Sequence, residues 1–144
     1  MHTYAYPRPA LTVDMVAIDT FVDTPHVLLI LRKSPPFANC WALPGGFVEE
    51  NEDLIVAALR ETQEETGLII DKNDPNLHQI GAFGAPNRDP RGWTVSVAYC
   101  VKGDFSHQNI AAADDAKAVQ WFALNALPDM AFDHKSIIVE GYLL

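Results

Sequence analysis

The sequence predicts an α/β fold in which helices cover the faces of a β-sheet. Two apolar segments near the N-terminus, 10–18 and 26–33, have the composition of β-strands and are separated by a stretch rich in turn residues. A stretch of helical periodicity then runs from Asn51 to Gly67, and further strand-like segments follow it. Because strands and helices are mixed along the chain, we expect a sheet packed against helices and not a β-sandwich or a helical bundle.

Local signals define the individual elements. The first two strands are expected to form a hairpin, since only a short turn-rich stretch joins them. Asn51 is the expected N-cap of the helix, and Gly67 occupies the position just past the helix end that glycine favours. The remaining predicted elements are three strands at 77–83, 93–101 and 119–122 and a closing helix at 132–143.

Length and charge limit the classes of function. With 144 residues, the chain is expected to form one domain spanning 1–144. Its 19 acidic and 10 basic residues give a formal net charge of −9, which disfavours nucleic acid as a partner because phosphates are repelled. The longest apolar run is far shorter than the roughly 20 residues that cross a membrane, and the N-terminus lacks a signal-peptide pattern. We therefore expect no membrane partner and a cytoplasmic location.

The predicted helix and the turn before it concentrate acidic residues. Seven of the 19 acids fall between Glu49 and Glu65, and Arg60 is the only base among them. Like charges on one helix repel each other, so this cluster needs a compensating partner. At about 100° per residue, Glu61, Glu64 and Glu65 share one face, and Arg60 can reach Glu64. Such a face is often only solvated, but three convergent carboxylates are also the ligands that a hard cation such as Mg²⁺ takes.

The spacing of these residues follows a known pattern. Five residues separate Gly46 from Glu52, and seven more precede the run RETQEETGL at 60–68. This pattern resembles the Nudix box at every fixed position, with Thr62 at a position that is usually more apolar. The resemblance implies a Nudix-type α/β/α sandwich with a mixed central sheet. It also implies hydrolysis of a nucleoside diphosphate derivative, a small-molecule nucleotide, with Mg²⁺ or Mn²⁺ as cofactor.

The resemblance assigns roles to residues of the box. Glu61, Glu64 and Glu65 are the implied metal ligands, together with the backbone carbonyl at Gly46. Glu64 and Glu61 are also the candidates to take a proton from the attacking water, and Arg60 is expected to orient the carboxylates.

Three further acids are candidates with open roles. Glu52 belongs to the box but lies on the opposite side of the helical wheel, so its role as a direct ligand stays open. Asp114 and Asp115 fall in a loop where the family often places another acid, which either supports a ligand or acts as the general base.

Segments outside the box indicate the substrate. The segment 84–92 and the strand after it resemble bacterial and archaeal ADP-ribose pyrophosphatases, and the tail is similar to other ADP-ribose-handling Nudix proteins. This resemblance implies hydrolysis of ADP-ribose to AMP and ribose 5-phosphate. Arg32, Arg88 and Arg91 are the candidate contacts to phosphate or ribose, for which a planar guanidinium is suited. The alternative for the loop of Arg88 and Arg91 is an ordinary turn with an Arg–Asp pair.

Several alternatives stay open at the level of sequence. One alternative is that the chain hydrolyses nucleoside triphosphates, oxidised ones included. Another is that it is a sensor that binds ADP-ribose without cutting it.

His134 is expected to be structural, with a hydrogen bond to Asp133 or to the backbone. Family analogy also predicts a homodimer. The aromatic residues considered for contact with the base are Trp41, Phe47, Phe83 and Trp93.

Overall fold

The computed structural model describes residues 3–112 and 116–144, which form a mixed β-sheet with a helix on each face. No helix in these two ranges is long and apolar enough to span a membrane. The elements are β1 (Ala10–Asp19), β2 (His26–Arg32), β3 (Trp41–Ala42), β4 (Gly45–Phe47), α1 (Leu54–Thr66), β5 (Leu77–Phe83), β6 (Thr94–Gly103), β7 (Ala116–Ala123) and α2 (His134–Leu143).

Strand β1 is the centre of the sheet. It pairs in parallel with β6 over its full length, from Ala10 opposite Thr94 to Asp19 opposite Gly103. On its other side it pairs antiparallel with β4 near its start and with β2 at its end. β5 lies antiparallel to β6, and both β3 and β7 lie antiparallel to β2. The predicted mixed sheet is therefore confirmed.

The predicted hairpin of β1 and β2 forms only at its base. These strands pair at two residue positions beside the turn, and β4 then takes the place of β2 next to β1, with Asp14 opposite Gly45. β3 and β4 have two and three residues, too few to show a strand period in the sequence, which is why neither was predicted. This insertion places the two glycines of β4 against the centre of the sheet.

The side chains of β1 alternate between two apolar cores. Val13, Met15 and Ala17 belong to the core that α1 covers, and Val16 and Ile18 belong to the core that α2 covers. All five are fully buried, and burial of each of the larger side chains stabilises the fold by about 1.5–3 kcal/mol. The sheet with a helix on each face confirms the predicted α/β/α sandwich.

Helix α1 begins later than predicted. Asn51 has a positive φ of 65° and lies in a turn, so the prediction that it is the N-cap is wrong. Asp53 is the N-cap, and its carboxylate accepts a hydrogen bond from the Ile55 N–H at 3.4 Å. Gly67 ends the helix with a φ of 79°, as predicted, and donates its N–H to the Gln63 carbonyl.

Helix α2 also begins two residues later than predicted. Phe132 has a φ of 52°, which is incompatible with a right-handed helix, and the helix starts at His134. Its buried side chains include Ile137 and Ile138, which pack on the second core. The positive φ of Phe132 therefore keeps this residue out of α2.

The position of the α1 cap is testable by stability. We expect Asp53→Ala to lower the free energy of unfolding by about 1 kcal/mol, because the N–H groups of the first turn lose their side-chain acceptor. Asn51→Gly should leave it nearly unchanged, since glycine adopts a positive φ without strain. Urea denaturation measures both. A larger loss for the Asn51 variant would contradict the assignment of the cap.

Candidate active site

An open cavity of about 500 Å³ lies where β4, the end of β2, α1 and the segment before α2 meet. Its lining is rich in charges of both signs. The acidic lining residues are Asp14, Glu49, Glu61, Glu65 and Asp89, and the basic ones are Arg32, Lys33, Arg88 and Arg91. The cavity therefore contains carboxylates for a cation as well as guanidinium groups for an anion.

The Arg60 guanidinium joins the acids of α1 to the turn before it. Its Nε and Nη2 donate to the two carboxylate oxygens of Glu52 at 2.7 and 2.9 Å. Its Nη1 donates to Glu61 at 2.9 Å and to Glu64 at 3.2 Å, and Nη2 also reaches the Phe47 carbonyl at 3.3 Å. The hydrogen bond to Glu52, followed by that to Glu61, raises the pKa of Arg60 against the effect of burial. One cation thus offsets the repulsion among three glutamates.

Glu52 acts on Arg60 and does not line the cavity. Its carboxylate is bound to the guanidinium by two hydrogen bonds and also accepts the Glu49 N–H at 3.0 Å. The bonds from Arg60, followed by the backbone N–H, lower the pKa of Glu52 to about 2. Glu52 lies before α1, so the helical wheel does not apply to it, and its role as a direct ligand stays open.

Two glycines of β4 bring the backbone against the acids of α1. The Gly45 N–H donates to Glu65 Oε1 at 2.8 Å. A Cβ atom on Gly46 would lie 2.6–2.7 Å from the carboxylate atoms of Glu61, and one on Gly45 would lie 2.2 Å from the Val13 carbonyl oxygen. Backbone atoms exclude a side chain at Gly45, and a side chain at Gly46 would displace the Glu61 carboxylate, so the close approach of β4 to Glu61 depends on glycine.

The residues around Gly46 fit a divalent cation in their chemistry. Among the described residues, no group of three His, Cys, Asp or Glu side chains has an arrangement that could hold a metal ion. Glu61 and Glu65 both line the cavity beside Gly46, and carboxylate and carbonyl oxygens are the ligands of Mg²⁺ and Mn²⁺. The Glu64 side chain is 59% exposed and lies outside the cavity lining, within reach of Arg60.

A buried polar network supports the cavity floor. Ser96 donates to one carboxylate oxygen of Asp14 at 2.5 Å, and His134 Nε2 lies 3.5 Å from the other. His134 Nδ1 accepts the Leu43 N–H at 3.0 Å, which confirms the expected hydrogen bond to the backbone. Burial lowers the pKa of His134, and acceptance at Nδ1 places the proton of the neutral ring on Nε2. The network thus connects α2 to the segment that leads into Gly45.

Asp14 was not identified from the sequence. It is a buried acid that lines the cavity from the middle of an apolar strand. An aspartate inside a run of apolar residues is the signal that could have indicated it, because a buried charge requires partners.

Arg88 connects the loop before β6 to the start of α2. Its guanidinium donates to both carboxylate oxygens of Asp133, at 2.9 and 2.6 Å, and its side chain is only 5% exposed. Burial by itself lowers the pKa of Arg88, but the bonds and charge of Asp133 outweigh burial and raise it. Arg88 lines the cavity with its charge largely balanced.

Arg91 and Arg32 differ in how they are held. Arg91 forms a bidentate ion pair with Asp89, so the Arg–Asp pair of the alternative interpretation is present. Arg91 also lines the cavity. Arg32 donates to the carbonyls of Pro36 at 2.8 Å and Ser34 at 3.4 Å, and it forms no ion pair with a described residue. Burial, followed by the charge of Arg91, lowers the pKa of Arg32.

One aromatic residue of the cavity was not among those considered from the sequence. Phe132 lines the cavity, and the guanidinium carbons of Arg32 and Arg91 lie 5.0 and 5.5 Å from its ring centre. Of the four aromatic candidates, only Phe47 lines the cavity; Trp41, Phe83 and Trp93 do not.

The predicted roles of Asp114 and Asp115 are not addressed by the geometry. Both residues lie outside the described part of the chain. Their assignment to a supporting role or to the general base stays a prediction.

The link between Glu52 and Arg60 is testable by activity. We expect Glu52→Gln to lower kcat by about 10- to 100-fold, because an uncharged amide with one acceptor oxygen cannot keep both hydrogen bonds to the guanidinium that contacts Glu61 and Glu64. Glu50→Gln is the matched control, since it makes the same charge change on an exposed residue of the preceding turn. Equal activity of the two variants would contradict the positioning role.

The same variant has a defined pH dependence. The pKa of Glu52 is about 2 in the folded state and near 4.5 otherwise, so the unfolded state binds more protons between these values. The stability that Glu52 contributes is therefore fully present above pH 4.5 and is lost as the pH falls towards 2. The stability difference between wild type and Glu52→Gln should shrink over that range in denaturation curves.

A family model and individual relatives match this chain. The model of the NUDIX domain matches residues 10–140. The ADP-ribose pyrophosphatase of Methanocaldococcus jannaschii is 44% identical over 125 residues, which are 85% of this chain and 70% of that protein. The ADPR-responsive transcriptional repressor of Acinetobacter baylyi is 36% identical over 143 residues, which are 95% of this chain and 54% of the repressor.

A solved structure shows the same architecture. It is the NUDIX domain of Shewanella oneidensis NrtR in a complex with ADP ribose, with a TM-score of 0.85 and 32% identity over 96% of this chain and 90% of that one. The chain spans about half the length of the Acinetobacter repressor and most of the Methanocaldococcus enzyme. By its family model, its relatives and its fold, the chain belongs to the Nudix family of pyrophosphohydrolases.

Proposed function

We propose that this Nudix protein hydrolyses ADP-ribose to AMP and ribose 5-phosphate, with Mg²⁺ or Mn²⁺ as cofactor. The observation that carries the proposal is that one cavity combines the acids Glu61 and Glu65 beside Gly46 with the guanidinium groups of Arg32 and Arg91. The similarity to the Methanocaldococcus ADP-ribose pyrophosphatase and to a NUDIX domain that binds ADP ribose supports this substrate.

The charges of the cavity explain why a cation is needed. A pyrophosphate is anionic and would be repelled by Glu61 and Glu65. When bound, a divalent cation stabilises charge on the phosphoryl oxygens and activates water as the nucleophile. Glu61, Glu64, Glu65 and the Gly46 carbonyl would hold it.

The residues of the chain have separate tasks in this proposal. Arg60, itself fixed by Glu52, orients Glu61 and Glu64, and one of these two carboxylates takes the proton of the attacking water. Arg32, Arg88 and Arg91 are the proposed contacts to the phosphates and the terminal ribose. They line the same cavity as Glu61 and Glu65.

A sensor that binds ADP-ribose without hydrolysis is the second candidate. The similarity to the ADPR-responsive repressor favours it. The complete set of acids in the Nudix box favours the enzyme, because binding alone does not require Arg60 to hold both Glu61, which lines the cavity, and Glu64 beside it.

We also propose, by resemblance to the family, that the protein is a homodimer and that it is located in the cytoplasm.

A substrate panel tests the reaction. We expect turnover of ADP-ribose in Mg²⁺ or Mn²⁺ to exceed that of nucleoside triphosphates, including an oxidised one, and to stop when a chelator is added. Glu64→Gln should lower kcat by about 100-fold or more, whereas Gln63→Ala on the exposed neighbouring position should not. Binding of ADP-ribose without turnover would identify the sensor, and faster cleavage of triphosphates would identify the other hydrolase.

The role of Arg91 is tested by comparing two substrates. If its guanidinium contacts ADP-ribose, Arg91→Ala should raise KM for ADP-ribose by about tenfold, the loss of one charge-assisted hydrogen bond, and raise KM for a triphosphate less. Arg8→Ala removes an exposed arginine away from the cavity and serves as the control. Equal changes in both KM values would show that Arg91 only stabilises its loop through Asp89.

A further inference from the structure

A second cavity lies at the opposite end of the sheet from the cavity of the candidate active site. It has a volume of about 410 Å³ and opens between the end of β1, the start of β2 and the loop that follows β6. The two cavities share no lining residue. Asp14 of the first and Asp19 of the second are five residues apart on β1, which is about 16 Å at the rise of a strand. The second cavity is therefore a separate site.

Asp19 contributes a buried carboxylate to the second cavity. The residue is only 6% exposed, and its Oδ1 accepts the Phe21 N–H at 3.0 Å. Its neighbours in the sheet are Gly103 of β6 and His26 of β2, and it forms no ion pair with any residue that the structure describes. A carboxylate that is buried without a cation costs free energy. The geometry thus leaves a position for a positive charge that the described residues do not supply.

His26 adds a second hydrogen-bond acceptor beside this carboxylate. Asp19 and His26 are directly opposite each other in the pairing of β1 with β2. His26 Nδ1 lies 2.5 Å from the Thr24 carbonyl oxygen, and a carbonyl only accepts, so Nδ1 carries the proton. The Nε2 atom of the neutral ring is then an acceptor, and no described residue donates to it. Two adjacent strands thus place acceptors at one cavity, and a ligand must bring the donors.

Aromatic rings form a wall of the second cavity. The rings of Phe105 and Trp121 are nearly parallel, at 14°, with centres 5.8 Å apart. Val22 and Ile110 extend this apolar wall. Aromatic rings attract ammonium groups, and apolar surface accommodates an alkyl chain. The lining therefore combines a carboxylate for a charge with a wall for an apolar body.

The loop that carries Phe105 is fixed at its other end. The Gln108 side chain donates to the Ile69 carbonyl and accepts the Ile69 N–H, each at 2.8 Å. The Ala111 N–H donates to the Thr66 carbonyl at 2.9 Å. These bonds join the loop to the end of α1 and the segment after it. The wall of the second cavity is thus formed before a ligand binds, which reduces the entropy lost on binding.

The chemistry of the lining disfavours other classes of ligand. Among the described residues, no group of three His, Cys, Asp or Glu side chains could hold a metal ion, and this lining offers one carboxylate and one imidazole. The described lining contains no lysine or arginine, which an anion such as phosphate would need. A neutral ligand would leave the charge of Asp19 without a counterion.

We propose that the second cavity binds a small organic ammonium ion. Asp19 accepts hydrogen bonds from the ammonium group, and the rings of Phe105 and Trp121 contact the alkyl part. The proposal does not depend on the reaction at the active-site cavity, since none of these residues line that cavity.

The test titrates n-butylammonium chloride into the isotope-labelled full chain at constant ionic strength and follows the indole N–H signals by NMR. Trp121 lines the second cavity, whereas Trp41 and Trp93 line neither cavity and act as internal controls. We expect a saturable shift of the Trp121 signal and no shift of the other two. n-Butanol has a similar shape without the charge and should give no saturable shift.

Asp19→Asn removes the charge and keeps an oxygen that accepts the Phe21 N–H. We expect it to weaken n-butylammonium binding by about tenfold, through the loss of a charge-assisted hydrogen bond. Asp23→Asn is the matched control, because it makes the same change on an exposed residue outside the lining. If Asp19→Asn folds poorly, as judged by its melting temperature, the comparison of n-butylammonium with n-butanol on the wild type still decides.

Four results would overturn the inference. One is equal binding of n-butanol and n-butylammonium, and another is equal weakening in Asp19→Asn and Asp23→Asn. A shift of the Trp121 signal with magnesium chloride but not with the amine would identify a metal site instead. A shift of the Gly46 amide signal in place of Trp121 would show that the ammonium group binds at the acids of the active-site cavity.

Discussion

A single guanidinium group makes the acidic face of α1 possible. Arg60 contacts Glu52, Glu61 and Glu64 at 2.7–3.2 Å. Without it, Glu61 and Glu64 would repel each other across one turn of helix. Its charge can serve Glu61 and Glu64 because Glu52 holds it by two bonds from the turn before the helix. A fork of several donors is needed for this task, and lysine does not provide one.

The sheet converts this local arrangement into a cavity. β4 enters beside β1 where β2 leaves, and its glycines bring the backbone to Glu61 and Glu65. The network from Asp14 through His134 to Leu43 holds the segment before β4 against the start of α2. The acidic end of the cavity is thus built on the centre of the sheet, while arginines and an aromatic ring from loops form its other wall.

The sequence was sufficient for parts that depend on local spacing. Arg60 and Glu64 lie four residues apart in one helix, so helical geometry predicted that Arg60 reaches Glu64. It did not separate Glu61 and Glu65, which line the cavity, from Glu64, which does not. The N-cap was misplaced because Asn51 and Asp53 both favour that position, and only the positive φ of Asn51 decides between them. Asp14 and Phe132 were missed because sheet topology brings them to the cavity from positions more than a hundred residues apart.

The central claim is that Arg60 organises the carboxylates of the site through its fork of donors. The direct measurement compares wild type with Arg60→Lys, which keeps the charge but loses the fork, by calorimetric titration of Mn²⁺ and by turnover of ADP-ribose. The account predicts weaker Mn²⁺ binding and a lower kcat in a variant whose unfolding curve still shows a folded protein. Unchanged Mn²⁺ affinity and kcat would contradict it.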